Sequence, residues 1–535
     1  MNRKSKNFSS NIQETEDDSR REFLKKGTIL ATLASASPLL GYSEIFGEEK
    51  PQEKRSVPKS TSRSRRSAKM YGIQVGPDSL VDEGTEKLLD ILQEKGAINT
   101  IFLTTFTHGQ GLAGRQTEAT LHDHGAPASK GKPFFGGNFA IPHPEFYKNT
   151  TLNDLRAPDF DKLDIVAELL PAAKRRGIKV FCSVEDQMRT ERPGAKDAAE
   201  IDLYGRPAGT LCLFNPNVRA FWRGLVTDLS TSYDIDGILF FNERNGPLLC
   251  ALGASHFQSI DSSKVTCFCE HHKRAATERG INFERARQGY LKLDQFVQSS
   301  LKDQRPSDGY FVMFQRILLE YPEIIAYDRL FDIAKHQVLD EVRAAVKGVN
   351  PNLQLGFHIE HVNSFNPFFR ASRSYNDLAT KADFLKVVVY NNCGGERYAN
   401  FINNIGSSLF RDVPKEELMR FNNHLLNYGN EAKLGDLAKS GLTPDYVFRE
   451  TQRALVGVQG KCSILPGIDI GIPVEANSRI ASPDDTYAAT LAAFNAGAPG
   501  VILSRKYSEM NLANLAAAGR AIREGMKNVL PITNY

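Results

Sequence analysis

The sequence predicts an α/β fold, a (β/α)8 TIM barrel with a large helical insertion after its fourth strand. Three observations predict it. Eight short apolar runs alternate with stretches of helical periodicity from Tyr71 onward. The runs are continuous in Val, Ile, Leu and Phe, as in strands buried on both faces, and strands that alternate with helices form parallel βαβ units. No strand leads into a glycine-rich phosphate loop, which counts against the rival doubly wound sheet.

YGIQVG (residues 71–76) opens the series and leads to a helix expected over 80–95. NTIFLTTF (99–106) enters a long Gly- and His-rich loop, and a helix around 160–176 precedes IKVFCSVE (178–185). A helix over about 218–233 feeds DGILFFNERNGP (236–247), which runs apolar and stops on Asn242-Glu243-Arg244. The insertion, helical in pattern, lies between Arg244 and Asn352. LQLGFHIE (353–360), DFLKVVVY (383–390), CSILPGIDI (462–470) and GVILSRKY (500–507) complete the eight. No internal repeat stands out.

The composition is that of a globular protein: 41% hydrophobic and 24% charged residues with a net charge of +4 give no surplus of cations for nucleic acid. Much of the basic excess sits in KRSVPKSTSRSRRSAK (54–69), a solvated linker. SRREFLKK (19–26) before the mild apolar run 27–40 resembles a bacterial twin-arginine export signal. The run is too short to span a bilayer, and Ala34-Ser35-Ala36 offers a cleavage site. The expected organisation is therefore a signal region over 1–46, a basic linker over 47–69 and the barrel over 70–535. The expected location is periplasmic or extracellular, with no stable membrane insertion once the signal is removed. Seven cysteines scattered through the chain are no disulfide framework.

In such barrels the active site lies where each strand ends, so the residues at which apolar runs turn polar matter most. They are Thr104, Thr105 and His108; Glu185 and Asp186; Asn242 and Glu243; His358, Glu360 and His361; Tyr390, Asn391 and Asn392; Asp469; and Arg505, Lys506 and Tyr507. Ionisable groups converging at one mouth are costly unless used. Loop aromatics Phe134, Phe135, Phe146, Tyr147, Phe365, Phe368 and Phe369 are candidates for stacking on a sugar ring, packing being the alternative.

The Asn242-Glu243 pair resembles the Asn-Glu signature of clan A glycoside hydrolases. That resemblance implies that Glu243 is the acid/base and that Asn242 binds the sugar 2-hydroxyl; Arg244, next in the chain, is expected to contact substrate and orient polar groups there. Protonating a glycosidic oxygen needs such a carboxyl, and a hydrogen bond at the 2-position strengthens in the oxocarbenium-like transition state. The clan places a nucleophilic Glu on the seventh strand, where this chain offers Asp469, with Glu360 as the fallback and Glu475 the next carboxylate along. Tyr390 stands where the clan has a tyrosine bonded to the nucleophile, which implies a retaining course. His108, Glu185, His358, Glu360, Asn391 and Tyr507 are the remaining expected substrate contacts.

Cys267-Phe-Cys269-Glu-His-His272, with Cys212 upstream, resembles the cysteine cluster of family 42 β-galactosidases. The resemblance implies a structural zinc held by Cys212, Cys267, Cys269 and His272, a chemically sound Cys3His set. Buried free thiols beside a surface histidine are the alternative. No organic cofactor is expected; the expected partner is a carbohydrate, and self-association is left open. The leading expectation is an exported glycoside hydrolase. Two others stay open: an isomerase or epimerase holding a divalent ion on Glu185, Glu243, Glu360 or His358 and Asp469, and a non-catalytic glycan-binding barrel.

Overall fold

In a computed structural model, residues 69–528 are described except 111–123, 125–134, 154–155, 159–161, 187–193, 255–259, 473 and 475. The expected signal region and all of the linker but Lys69 lie outside them. Eight parallel strands close a barrel: β1 (Tyr71–Val75), β2 (Thr100–Gln110), β3 (Lys179–Glu185), β4 (Gly237–Phe241), β5 (Gln354–Ile359), β6 (Phe384–Val388), β7 (Ser463–Asp469) and β8 (Val501–Ser504). Each pairs with its sequence neighbours, and β8 returns to β1 with Tyr71 opposite Val501. The predicted fold class is the observed one.

Helices form where caps and periodicity ask for them. Asp164 caps the helix Ile165–Arg175 by accepting from Val166 and Ala167, and Asn215 caps Pro216–Ser232. The helix expected over 80–95 is two, Pro77–Glu83 and Thr85–Glu94, because Gly84 between them takes a φ of +80°. The insertion after β4 holds the helices Glu270–Thr277, Phe283–Leu301, Tyr310–Glu320 and Glu323–Val349. Among the described residues, no helix is long and apolar enough to cross a membrane.

The barrel interior is layered. Its floor is aromatic: Phe102 of β2, Phe181 of β3 and Phe384 of β6 meet with ring centroids 5.1–6.0 Å apart. Glycines on two other strands make room for them. A Cβ on Gly72 would come within 2.4 Å of the Phe102 ring, and one on Gly356 within 2.1 Å of the Phe384 ring. Above the floor the inward positions turn polar, with Gln74 of β1, Ser183 of β3, His358 of β5, Lys386 of β6 and Ser504 of β8. Alternation along each strand thus fills the bottom and opens the top to chemistry.

One contact from outside the barrel shapes that top. Lys335, buried on the helix Glu323–Val349, donates to the carbonyls of Asn242 (2.8 Å) and Arg244 (3.0 Å) and to Glu360 Oε1 (2.7 Å). Breaking a buried ion pair from one side strands the other charge, at about 3–5 kcal/mol. Lys335→Met should therefore lower the thermal unfolding midpoint clearly, and adding Glu360→Gln should restore part of the loss. Calorimetry on both variants checks this; an unchanged midpoint in the single variant would refute the splint.

Candidate active site and a cysteine-rich metal centre

The C-terminal ends of the strands enclose a cavity of about 290 Å³. Its wall includes Gln74, Glu185, Glu243, His358, Glu360, Lys386, Tyr390, Arg397, Arg505 and Lys506. Of the residues expected to bind substrate, Glu185, Glu243, His358, Glu360 and Tyr390 are therefore together. The side chain of Glu243 is 54% exposed, and its Oε1 touches His358 Nε2. The His358 ring stacks on Phe241 (4.4 Å). Burial holds its imidazole below the usual histidine range, against the pull of Glu243. The carboxylate thus faces open space on one side and a neutral ring on the other.

Position by position, the tripeptide at the end of β4 points three ways. Asn242 is buried, with no partner for its amide among the described residues and no place in the cavity wall. Glu243 enters the cavity. Arg244 turns to the opposite side, pairing with Glu200 (2.6 Å) and donating to the carbonyl of Leu211 (2.7 Å). It lines a neighbouring cavity of about 400 Å³, which shares Glu243 and Asn245 with the first. The expected contact of Arg244 with substrate thus becomes a positioning role.

Asp469 requires a correction. It is 1% exposed and absent from the cavity wall. The backbone N–H groups of Cys393 (2.9 Å), Gly471 (3.2 Å) and Ile472 (3.1 Å) donate to its two oxygens. A carboxylate committed to organising two loops is not poised to attack an anomeric carbon. The Tyr390 hydroxyl accepts from Lys386 Nζ (3.2 Å), so the argument for retention from a Tyr390–Asp469 bond lapses. Glu360, the fallback, is tied to Lys335 and 6% exposed. Glu475 lies outside the described residues.

Other expected contacts also move. The Tyr507 hydroxyl donates to Glu83 (2.9 Å), because β8 ends at Ser504 and the following turn carries the ring away. Asn391 is buried, its carbonyl accepting from Leu442, and does not line the cavity. The side chain of His108, like that of Phe135, lies outside the described residues. Phe365 and Phe369 are fully buried core, and Tyr147 packs on the helix Pro216–Ser232, so they offer no stacking face.

Sequence reasoning missed Gln74, Lys386, Arg397 and Lys335. Two left a signal: Gln74 and Lys386 each interrupt an apolar run, YGIQVG and DFLKVVVY. Lys386 is 0% exposed, its Nζ bonded to Gln74 and 5.3 Å above the Phe241 ring. A Cβ on Gly467 of β7 would sit 3.0 Å from its Cε, so that glycine leaves its stem room. Burial pushes the amine down to about 7, against the pull of Glu243 and Glu185.

Some 60 residues of sequence separate Cys212 from His272, yet their side chains meet with those of Cys267 and Cys269. One ligand atom from each of the four lies within 4.8 Å of all the others, and every one of these residues is buried. Cys212 Sγ is 3.4 Å from Cys269 Sγ and 3.3 Å from His272 Nδ1. The neighbouring thiols of Cys212 and Cys267 draw the Cys269 thiol down towards thiolate, so the donor set suits a divalent ion. Among the described residues no other group of three or more metal-binding side chains converges this way.

No protein-family model matches the chain, and no curated protein does. Several solved structures are similar to it. An α-L-fucosidase isoenzyme 2 from Paenibacillus thiaminolyticus has 13% identity over 85% of this chain and 49% of its own, with a TM-score of 0.46. The PgaB glycoside hydrolase domain from Bordetella bronchiseptica has 11% identity over 87% and 99%, with a TM-score of 0.43. A β-galactosidase from the haloarchaeon Halorubrum lacusprofundi has 11% identity over 85% and 58%, with a TM-score of 0.46. The chain thus spans about half the length of the fucosidase and three fifths of the galactosidase. At TM-scores below 0.5, the weight falls on the cavity's own residues.

The cysteine cluster makes a direct prediction. A structural metal adds its binding free energy to folding. Cys267→Ser or Cys269→Ser should therefore lower bound metal and the unfolding midpoint together, read by elemental analysis and calorimetry. A wild-type protein that is metal-free and equally stable would overturn the assignment.

Proposed function

We propose that the protein is a glycoside hydrolase whose proton donor is Glu243. One observation carries the reading: a half-exposed carboxyl at the end of β4 enters a cavity while a neutral imidazole backs it. A general acid needs access to the leaving oxygen, which the open side of Glu243 gives. Glu185 serves as the second carboxylate. It ends β3, lines the same cavity and lies 3.9 Å from Lys506. β3 and β4 are hydrogen-bonded neighbours, and strands in a sheet lie about 4.8 Å apart. In that register Glu185 stands opposite Phe241, two residues before Glu243, so the choice between the roughly 5–5.5 Å carboxyl spacing of retention and the roughly 6.5–9.5 Å of inversion is read from the anomer released.

The substrate is an external glycan or oligosaccharide, reached by twin-arginine export, a proposal that rests on Arg20-Arg21 and the run after them. The metal is zinc, as three thiolates and an imidazole prefer. It is structural, since all four ligands are protein side chains.

The decisive variant is Glu243→Gln. It should cut turnover of a natural glycoside by about three orders of magnitude or more. It should spare an aryl glycoside with a good leaving group, which needs no proton. Aryl glycosides, galactosides first, supply the assay, and equal losses on both substrates would sink the assignment. NMR of the first-released anomer tests Glu185: a retained anomer fits its attack, an inverted one removes it as nucleophile.

A further inference from the structure

The charges around the cavity do not cancel pair by pair. Each carboxylate in the wall has a basic neighbour. Glu360 holds Lys335, Glu243 touches His358, Glu185 lies 3.9 Å from Lys506 and Asp186 lies 3.9 Å from Arg244. Arg505 is bound to Glu509, with Nε 2.9 Å from Oε2. Two cations remain. Among the described residues, no carboxylate lies within 4 Å of Lys386 Nζ or of the Arg397 guanidinium. Lys386 is met by the neutral oxygens of Gln74 and Tyr390, and Arg397 donates to His361 Nδ1 (3.1 Å).

Both stand against one ring. Lys386 Nζ is 5.8 Å and Arg397 Cζ 5.9 Å from the centroid of Tyr390. A ring face compensates a buried cation only weakly, by about 0.5–2 kcal/mol. Arg397 cannot shed its charge by losing a proton, whatever Lys386 does. Glu243 and Glu185 act on Lys386, and Asp469 on Arg397, only from beyond contact distance, so a ligand that brings an anion into contact lowers the cost of burying both cations.

We propose that Lys386 and Arg397, flanking Tyr390, receive an oxyanion carried by the sugar, a carboxylate or a sulfate ester. The substrate class is then an acidic glycan. This deepens the glycosidase reading and rests on it for the sugar, though not for the anion.

Equilibrium binding to the full-length wild-type protein tests it without turnover. Glucuronate and galacturonate probe the carboxylate, glucose 6-sulfate and galactose 6-sulfate the sulfate ester, and glucose and galactose the neutral ring. One anionic pair should bind at least tenfold tighter than its neutral counterpart, less so as salt is raised. Lys386→Met, which keeps the stem and drops the charge, and Arg397→Gln should each erase most of that preference while unfolding at the wild-type temperature. If either variant fails to fold, Arg397→Lys, which keeps a charge but loses the fork, should retain part of the preference. Equal binding of acidic and neutral sugars, no binding of any acidic sugar, or a preference unchanged in folded variants would overturn the inference. Cleavage of neutral aryl glycosides without acid preference would overturn the anion site and keep the hydrolase. Acid-selective binding with no cleavage of any glycoside would do the reverse.

Discussion

The end of β4 depends on a lysine from outside the barrel. A strand that leaves its sheet exposes carbonyls with no ladder partner, and those of Asn242 and Arg244 would be buried unpaired without Lys335. The ammonium that satisfies them is itself buried, at a desolvation cost that Glu360 on β5 offsets. Burial still pulls the lysine down to about 8, with Arg373 acting the same way. Backbone geometry, helix packing and the neighbouring strand are thereby locked through one nitrogen. Glu243 is the residue between the two carbonyls, so its direction into the cavity follows from that lock.

A second tie runs from the same tripeptide to the cysteine cluster. Arg244 holds Glu200, and Glu200 Oε2 accepts from Thr210 (2.6 Å) and Thr266 (2.7 Å), the residues that lead into Leu211-Cys212 and Cys267. Tyr327, a few residues before Lys335 on the same helix, donates to the carbonyl of Cys267 (2.7 Å). The cysteine cluster and Glu243 are thus joined through one buried polar network. Loosening the cluster would free Thr266 and Cys212, then Glu200, then Arg244. On the proposed reading, a cluster far from the cavity can matter to turnover by this route, because small displacements of a catalytic group are expensive.

Much of this was legible in the sequence. Eight apolar runs between helical stretches determine a parallel barrel, and the rule that strands deliver chemistry at their C-terminal ends picks out Glu185, Glu243, His358, Glu360 and Tyr390. The cysteine cluster was legible through its resemblance to that of family 42 β-galactosidases. The errors share a physical cause: strand-end reading tells where a side chain starts, not what folds over it. Asp469 begins at the right height and is then roofed by the loops at Cys393 and Gly471. Tyr507 lies three residues past the true end of β8 and swings out to Glu83. Lys335 comes from a helix some 90 residues after β4, a distance no local pattern bridges. Lys386 could have been found, since a charge inside an apolar run must have a reason to be there.

That reason bears on the chemistry. Cleavage of a glycosidic bond builds positive charge on the sugar ring, which carboxylates at the rim stabilise and an ammonium in the wall opposes. At about 5 Å with an effective dielectric of 20, one bare positive charge would cost roughly 3 kcal/mol, about a hundredfold in rate. Two states of the site escape this penalty. Lys386 can be neutral, which burial favours by drawing it to about 7. Alternatively, the substrate can carry its own anion onto the ammonium, so that the wall presents a closed ion pair when the ring becomes cationic. The first state leaves Arg397 beside Tyr390 with no carboxylate in contact, and the second supplies one to both cations at once.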